Sequence, residues 1–256
     1  MLAAAQRAGR AAADSVFSLF FPEICRICNR AIESLTAVPV CPECLEEPKP
    51  YQGEECSRCG LFLRGGAALQ GTGLCGLCRR GTFVFRQARS FAAYEGKLRS
   101  LVQCLKYEGF RPLAKPLAGY LQGVLERLEG SNWDFVLPIP LHSRRQRQRG
   151  FNQAELLAGR LAKLSGIPMA AGDCVRVRET RPQTGLRAAE RRRNVAGAFD
   201  VPRPQRVKGR RLLLVDDVLT TGATADACAR ALLEADAAGV WVITLARADP
   251  GHRDVL

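Results

Sequence analysis

The stretch LLLVDDVLTTGAT, Leu212 to Thr224, joins an apolar run, two carboxylates and a loop of small hydroxylated residues. Leu212, Leu213, Leu214 and Val215 read as a central strand of a parallel sheet, buried on both faces, because no polar residue alternates within the run. Ligands of open α/β sheets bind at the carboxyl ends of the strands, so Asp216 and Asp217 stand where chemistry is expected. Their oxygens suit two adjacent sugar hydroxyls, or a Mg²⁺ that itself holds a diphosphate. Thr220, Thr221, Gly222, Ala223 and Thr224 then open the next helix, and hydroxyls with backbone N–H groups at such a start form an anion site. A strand ending in acids before a Thr-capped turn is the plainer reading, and it explains each half but not their order. Taken jointly, the segment predicts a site for a phosphorylated ribose.

Far from that segment, eight cysteines fall in four CxxC pairs: Cys25 and Cys28, Cys41 and Cys44, Cys56 and Cys59, Cys75 and Cys78. Eight thiolates suffice for two tetrahedral Zn²⁺ sites, and the gaps between pairs are those of structural zinc. Sequential pairing is the simplest assignment, with an interleaved cross-brace as the alternative. Gly60, Pro42 and Gly76 supply tight turns beside the thiols. Disulfides or a redox dithiol compete poorly, since no signal peptide precedes the cysteines and four repeated pairs exceed one redox centre. Four cysteines per metal leave no position for water, so both sites are expected to fold the chain and not to catalyse. Cys104, Cys174 and Cys228 stand alone and read as small buried apolar residues.

The 256 residues divide by texture. An N-terminal helical segment is expected over 1–22, a double zinc ribbon over 23–82 and a larger α/β domain over 83–256. The zinc module is too short to hold a large core without its metals. Arg7 and Arg10 ahead of Val16, Phe17, Leu19 and Phe20 admit a transit peptide or peripheral membrane association. A short helix packing on the zinc module is the favoured expectation. The apolar segments fall well below membrane-spanning length, and a soluble, cytoplasmic protein is expected. Strands are predicted near Ala88 to Tyr94, Phe135 to Ile139, Leu212 to Val215 and Val240 to Leu245. Helical spacing joins Leu98, Leu101, Val102 and Leu105; Leu113, Leu117 and Leu121; and Leu156, Leu157, Leu161 and Leu164. Alternating strands and helices give a doubly wound sheet.

Two arginine-rich segments carry further weight. From Pro138 the prolines at a strand end open onto Arg144, Arg145, Arg147 and Arg149, read as a loop that attracts phosphate, with Gly150 turning into a helix near Asn152. From Arg176 a segment carries Gln183, Thr184 and Gly185 at its centre, then Arg191, Arg192 and Arg193. It reads as a mobile arm that excludes water from a reaction passing through an unstable cation, or as a basic helix without a catalytic task.

Leu212 to Thr224 resembles the phosphoribosyl pyrophosphate (PRPP) loop of type I phosphoribosyltransferases. The resemblance implies that Asp216 and Asp217 hold the ribose hydroxyls and that Thr220 to Thr224 wrap the 5′-phosphate. It also implies displacement of pyrophosphate from the anomeric carbon by a nitrogen nucleophile, with Mg²⁺ neutralising the departing diphosphate. YEGKLRSLVQCLKYEGF from Tyr94, RGFNQAELLA from Arg149 and QTGLRAAERRRNVAGAF from Gln183, with the four cysteine pairs, are similar to the ComF family along almost the whole chain. That resemblance implies natural transformation as the setting, with single-stranded DNA and a DNA-translocating helicase as partners.

A formal net charge of +13 independently favours a polyanion. Aromatic content is low, so DNA binding would be mainly electrostatic, with Phe83, Phe85, Tyr107 and Phe151 as stacking candidates that read equally as core. Two readings follow: a transferase that moves the ribosyl group of PRPP to an unidentified nitrogen acceptor, and a non-enzymatic competence factor in which arginines and zinc ribbons bind DNA or a helicase. No constellation that would read a particular acceptor is visible.

Overall fold

A computed structural model of the chain describes residues 23–32, 38–63, 72–130, 132–180 and 188–248. The N-terminal segment 1–22 and the centre of the expected arm, Gln183, Thr184 and Gly185, lie outside the described residues.

Short strands β1 (Glu23–Ile24) and β2 (Ala31–Ile32) pair antiparallel at the first cysteine knuckle, before helix α1 (Pro42–Glu46). Helix α2 (Gly76–Arg79) closes the second cysteine group. The α/β part follows: β3 (Gln87–Ala93), α3 (Gly96–Tyr107), α4 (Ala114–Leu125), β4 (Phe135–Pro138), α5 (Ser143–Arg149) and α6 (Gln153–Ser165). Then come β5 (Val175–Arg176), α7 (Ala188–Val195), β6 (Phe199–Asp200), α8 (Pro204–Val207), β7 (Arg211–Leu219), α9 (Ala223–Glu234) and β8 (Gly239–Arg247).

Among the described residues the main sheet runs β3-β8-β7-β4, every pair parallel. Residues 168–170 extend it past β4, with Val136 N–H donating to Pro168 O and Ala170 N–H to Val136 O, both at 2.9 Å. β7 lies inside the sheet, as its apolar run requires. Leu213 and Val215 point to one face, into a core shared with Leu101, Leu105, Leu117, Leu121, Leu157 and Leu161 from α3, α4 and α6. Leu212 and Leu214 point to the other, packing with Cys228, Ala229 and Leu232 of α9. One strand therefore fills two cores, and helices cover both faces.

All four predicted strands are present, and β7 runs further than expected: Asp216 and Asp217 lie within it, Asp216 facing Thr244 of β8. Leu164, expected on the apolar face of α6, is 56% exposed. The arginine-rich segment after Pro138 is a helix, α5, and not the expected loop. Its run of Arg and Gln has good helix propensity and no breaker until Gly150, which ends the helix at φ +77. Asn152 caps α6 by accepting from Ala154 N–H (3.0 Å), while its amide donates to Ile139 O (3.2 Å).

The cysteine modules share these cores. Cys25, Cys41 and Cys44 are buried in the core on the α3–α4 face, and Cys56, Cys59, Cys75 and Cys78 in the core on the α9 face. The outer edge of β3 is covered by the segment between them and by the first knuckle of the second group: Tyr51 N–H donates to Phe91 O and Ala88 N–H to Arg58 O, both at 2.7 Å. Arg89 and Arg127 meet Glu55 across the same seam, at 3.2 and 2.6 Å.

Candidate functional site

A cavity of about 640 Å³ opens at the carboxyl ends of β4 and β7. Asp216, Asp217, Thr220, Gly222, Ala223, Thr224 and Arg145 line it, together with Lys106, Arg149 and Arg176. Of the residues predicted for the site, two stand apart from the cavity wall. Thr221 is buried and its Oγ1 accepts from Ala223 N–H at 3.4 Å, so it braces the turn into α9. Arg144 is exposed and paired with Glu179 at 3.2 Å.

The acid pair has a division of labour that the sequence did not disclose. Lys106 Nζ lies 3.1 Å from Asp217 Oδ2, with the two side chains 16% and 4% exposed. Burial works against ionisation of Asp217, but Lys106 and the hydrogen bonds to the carboxylate outweigh it and hold its pKa below the ordinary value. For Asp216 burial and the neighbouring Asp217 charge act together and push the pKa well up. Asp216 therefore keeps its proton over a range in which Asp217 is ionised. One carboxylic acid beside one carboxylate supplies both a donor and acceptors, the complement of a vicinal diol. Backbone contacts fix both groups, Asp217 N–H donating to Asp216 Oδ1 and Val218 N–H to Asp217 Oδ1, each at 2.9 Å.

The turn from β7 into α9 depends on Gly222, which sits at φ +76 as the residue preceding the helix. Arg191 of α7 donates to Thr220 Oγ1 at 3.1 Å. The described end of the expected arm thus touches the loop that follows β7. Arg145 and Arg176 face the cavity together: burial, then the Arg145 charge, lowers the pKa of Arg176, and its buried Nε has no hydrogen-bond partner. Two cations crowded in a cavity with an unsatisfied N–H fit an anionic ligand. Of the stacking candidates, Phe83, Phe85 and Phe151 are buried, while Tyr107 is 65% exposed on the cavity wall.

The cysteines settle into two sequential groups, Cys25, Cys28, Cys41 and Cys44, and Cys56, Cys59, Cys75 and Cys78, with the sulfurs of each group within 4.8 Å of one another. The Cys28–Cys41 and Cys59–Cys75 sulfurs are 3.6 Å apart. A tetrahedral Zn²⁺ at about 2.3 Å from each sulfur would separate them by about 3.8 Å, so both groups fit the metal. Cys41 N–H and Cys75 N–H donate to Cys25 Sγ and Cys56 Sγ at 3.4 and 3.3 Å, and Arg30 Nε donates to Cys28 Sγ, holding that thiol down at about 6. Cys104 is buried as expected. Cys174 and Cys228 do not stand alone: their sulfurs are 3.2 Å apart in the α9-side core.

A doubly wound parallel sheet, an acid pair and a small-residue loop at the end of its central strand, and two tetracysteine groups define a phosphoribosyltransferase-type protein with a double zinc-ribbon module. The chain is 33% identical over 233 residues to DNA utilization protein YhgH of Salmonella typhimurium, covering 90% of this chain and 99% of the relative. It is 30% identical over 216 residues to competence protein F of Haemophilus influenzae, covering 82% and 90%. Competence protein ComFC of Bacillus subtilis is 29% identical over 209 residues, covering 81% and 84%. The chain belongs to this family, the ComF family. No family model matches it. Among solved structures, adenine phosphoribosyltransferase from Leishmania donovani is 17% identical at a TM-score of 0.37, covering 62% of this chain and 83% of that one. The glutamine PRPP amidotransferase of B. subtilis is 21% identical at 0.35, covering 51% and 26%. Likenesses this distant add nothing to what the sheet order itself establishes.

Proposed function

We propose that this chain binds PRPP and acts in DNA uptake, as a ComF-type protein of the cytoplasm with a double zinc ribbon over 23–82 and a phosphoribosyltransferase-like domain over 83–256. The observation that carries the reading is the joint presence, in one cavity, of the Asp216–Asp217 pair, the loop from Thr220 to Thr224, and Arg145 with Arg176. In this reading the pair holds the ribose hydroxyls, the loop wraps the 5′-phosphate and the two arginines face the diphosphate. Mg²⁺, bound with PRPP, would neutralise the diphosphate and ease its departure. The names of the relatives, DNA utilization protein and competence protein, supply the setting. Single-stranded DNA and a DNA-translocating helicase are the proposed partners, met by exposed arginines such as Arg144 and Arg147.

Transfer of the ribosyl group to a nitrogen acceptor is the second reading, favoured by the wall of Tyr107, Glu108 and Arg149 in the same cavity. Calorimetric titration of PRPP with Mg²⁺ into the zinc-loaded protein tests the donor site. Binding is expected for the wild type and loss for an Asp216→Asn, Asp217→Asn double variant that still carries two zinc ions. A wild type that binds nothing would remove PRPP from the proposal.

A further inference from the structure

The second cysteine group and the anion loop are joined by a short strut. After Cys78 the chain turns back on itself, Thr82 Oγ1 donating to Leu77 O at 2.8 Å, and enters residues 83–85. Phe83 is 3% exposed, stacks on Phe85 with ring centroids 4.9 Å apart, and belongs to the same apolar core as the four cysteines. Its ring lies against the turning residue of the anion loop: a Cβ on Gly222 would come within 2.8 Å of Phe83 Cε1. One residue on, Val84 N–H donates to Asp226 Oδ1 at 2.7 Å, a bond between positions 142 residues apart.

Asp226 sits in the first turn of α9, immediately behind the loop expected to hold a phosphate. A carboxylate there stabilises the bare helix through its dipole but repels an incoming anion. It is nevertheless 9% exposed, and both oxygens are engaged, Oδ1 by Val84 and Oδ2 by Arg230 at 3.2 Å. Anion binding alone does not account for that residue type at that place. Holding the strut does.

We propose that Asp226 and Phe83 are positioning residues that couple metal occupancy of Cys56, Cys59, Cys75 and Cys78 to the geometry of the loop Thr220 to Thr224. The coupling rests on the reading of that loop as an anion site and of the cysteines as a zinc site. An ordered metal module fixes residues 83–85, these fix the start of α9, and by linkage an anion on the loop retards loss of the second metal.

The test uses the full zinc-loaded chain as wild type, Asp226→Ala and Asp226→Asn. Amide hydrogen exchange over residues 218–226 is measured, with zinc content determined alongside. Asp226→Ala should exchange roughly tenfold faster there, as expected for loss of one buried hydrogen bond, with two zinc ions retained. Asp226→Asn keeps the Oδ1 acceptor for Val84 and should stay close to wild type, although its pairing with Arg230 is gone. A loop as protected in Asp226→Ala as in wild type, or as loose in Asp226→Asn as in Asp226→Ala, overturns the proposal. Should Asp226→Ala fail to fold, Phe83→Leu, which keeps apolar volume but withdraws the ring from Gly222, is read in the same way. In a wild type shown to bind PRPP, the ligand should slow release of one zinc ion of two to a chelator, and release that PRPP leaves unchanged overturns the coupling. Failure of PRPP to bind is a separate result that bears on the donor site and leaves the exchange comparison intact.

Discussion

Replacing Lys106 with Met withdraws the only ion pair found for Asp217 among the described residues and leaves that carboxylate 4% exposed without its countercharge. Removing one partner of a buried pair costs about 3–5 kcal/mol, but Asp217 can escape by taking a proton. The ordinary aspartate value is 3.8, so carrying that proton at pH 7 costs about 4 kcal/mol relative to an unperturbed aspartate at about 1.36 kcal/mol per unit, and the loss against wild type, whose folded pKa is lower still, is somewhat larger. The sign follows from linkage. In wild type the depressed Asp217 pKa gives stability that is present above the unfolded value and lost as pH falls through the folded one. In Lys106→Met burial raises the folded pKa, so stability is fully present below the unfolded value and lost as pH rises. Across a series of pH values the deficit between the two proteins should therefore widen as pH rises above the ordinary aspartate value of 3.8, with a slope no steeper than about 1.36 kcal/mol per unit, until the raised folded pKa is passed. Urea unfolding of both proteins at each pH, followed by fluorescence of Trp133 and Trp241, measures it, and any zinc loss at lower pH is common to both. A deficit that is flat or shrinks with rising pH would refute the account of the acid pair.

Gly222→Ala should destabilise by about 2–4 kcal/mol, combining a left-handed conformation with displacement of Phe83, and should abolish PRPP binding; thermal unfolding and calorimetry of the zinc-loaded variant check both. Arg144→Ala combined with Arg147→Ala should weaken binding of oligothymidine and reduce the slope of log affinity against log salt by about 1.4, since each phosphate contact on single strands contributes about 0.7. PRPP affinity should be unchanged in that double variant, and an unaltered slope in a filter-binding series would take α5 out of DNA contact.

The parts of this molecule that could be read from sequence are those whose cause is local. Leu212 to Val215 announce a doubly buried strand because a continuous apolar run has no other economical home, and CxxC spacing places two thiolates on one ion whatever surrounds them. Lys106 lacked any such signal. On its helix it reads as one more basic residue beside Tyr107, and only the fold brings it 3.1 Å from a carboxylate 111 positions later. Cys174 and Cys228 likewise meet through tertiary packing alone. The charge and flanking prolines of Ser143 to Arg149 point to a loop, but helix propensity prevails there, and Gly150 and not the prolines sets the end of the helix. Burial of the two cysteine groups in opposite cores of one sheet could not be inferred from spacing, since a module's fold does not reveal what it rests on.

β3 is an outer strand of the main sheet, and the rim it would otherwise present is occupied by backbone from the cysteine modules around Tyr51 and Arg58. A bare strand edge templates pairing with other chains. The ribosome delivers the cysteines before β3, and β8, the inner neighbour of β3, emerges last of the sheet strands. Metal taken up early would hand the nascent strand a finished cover while its permanent partner is still unmade. In a cell short of zinc, the first symptom in this protein would then be aggregation during synthesis, ahead of any change in what the mature molecule binds.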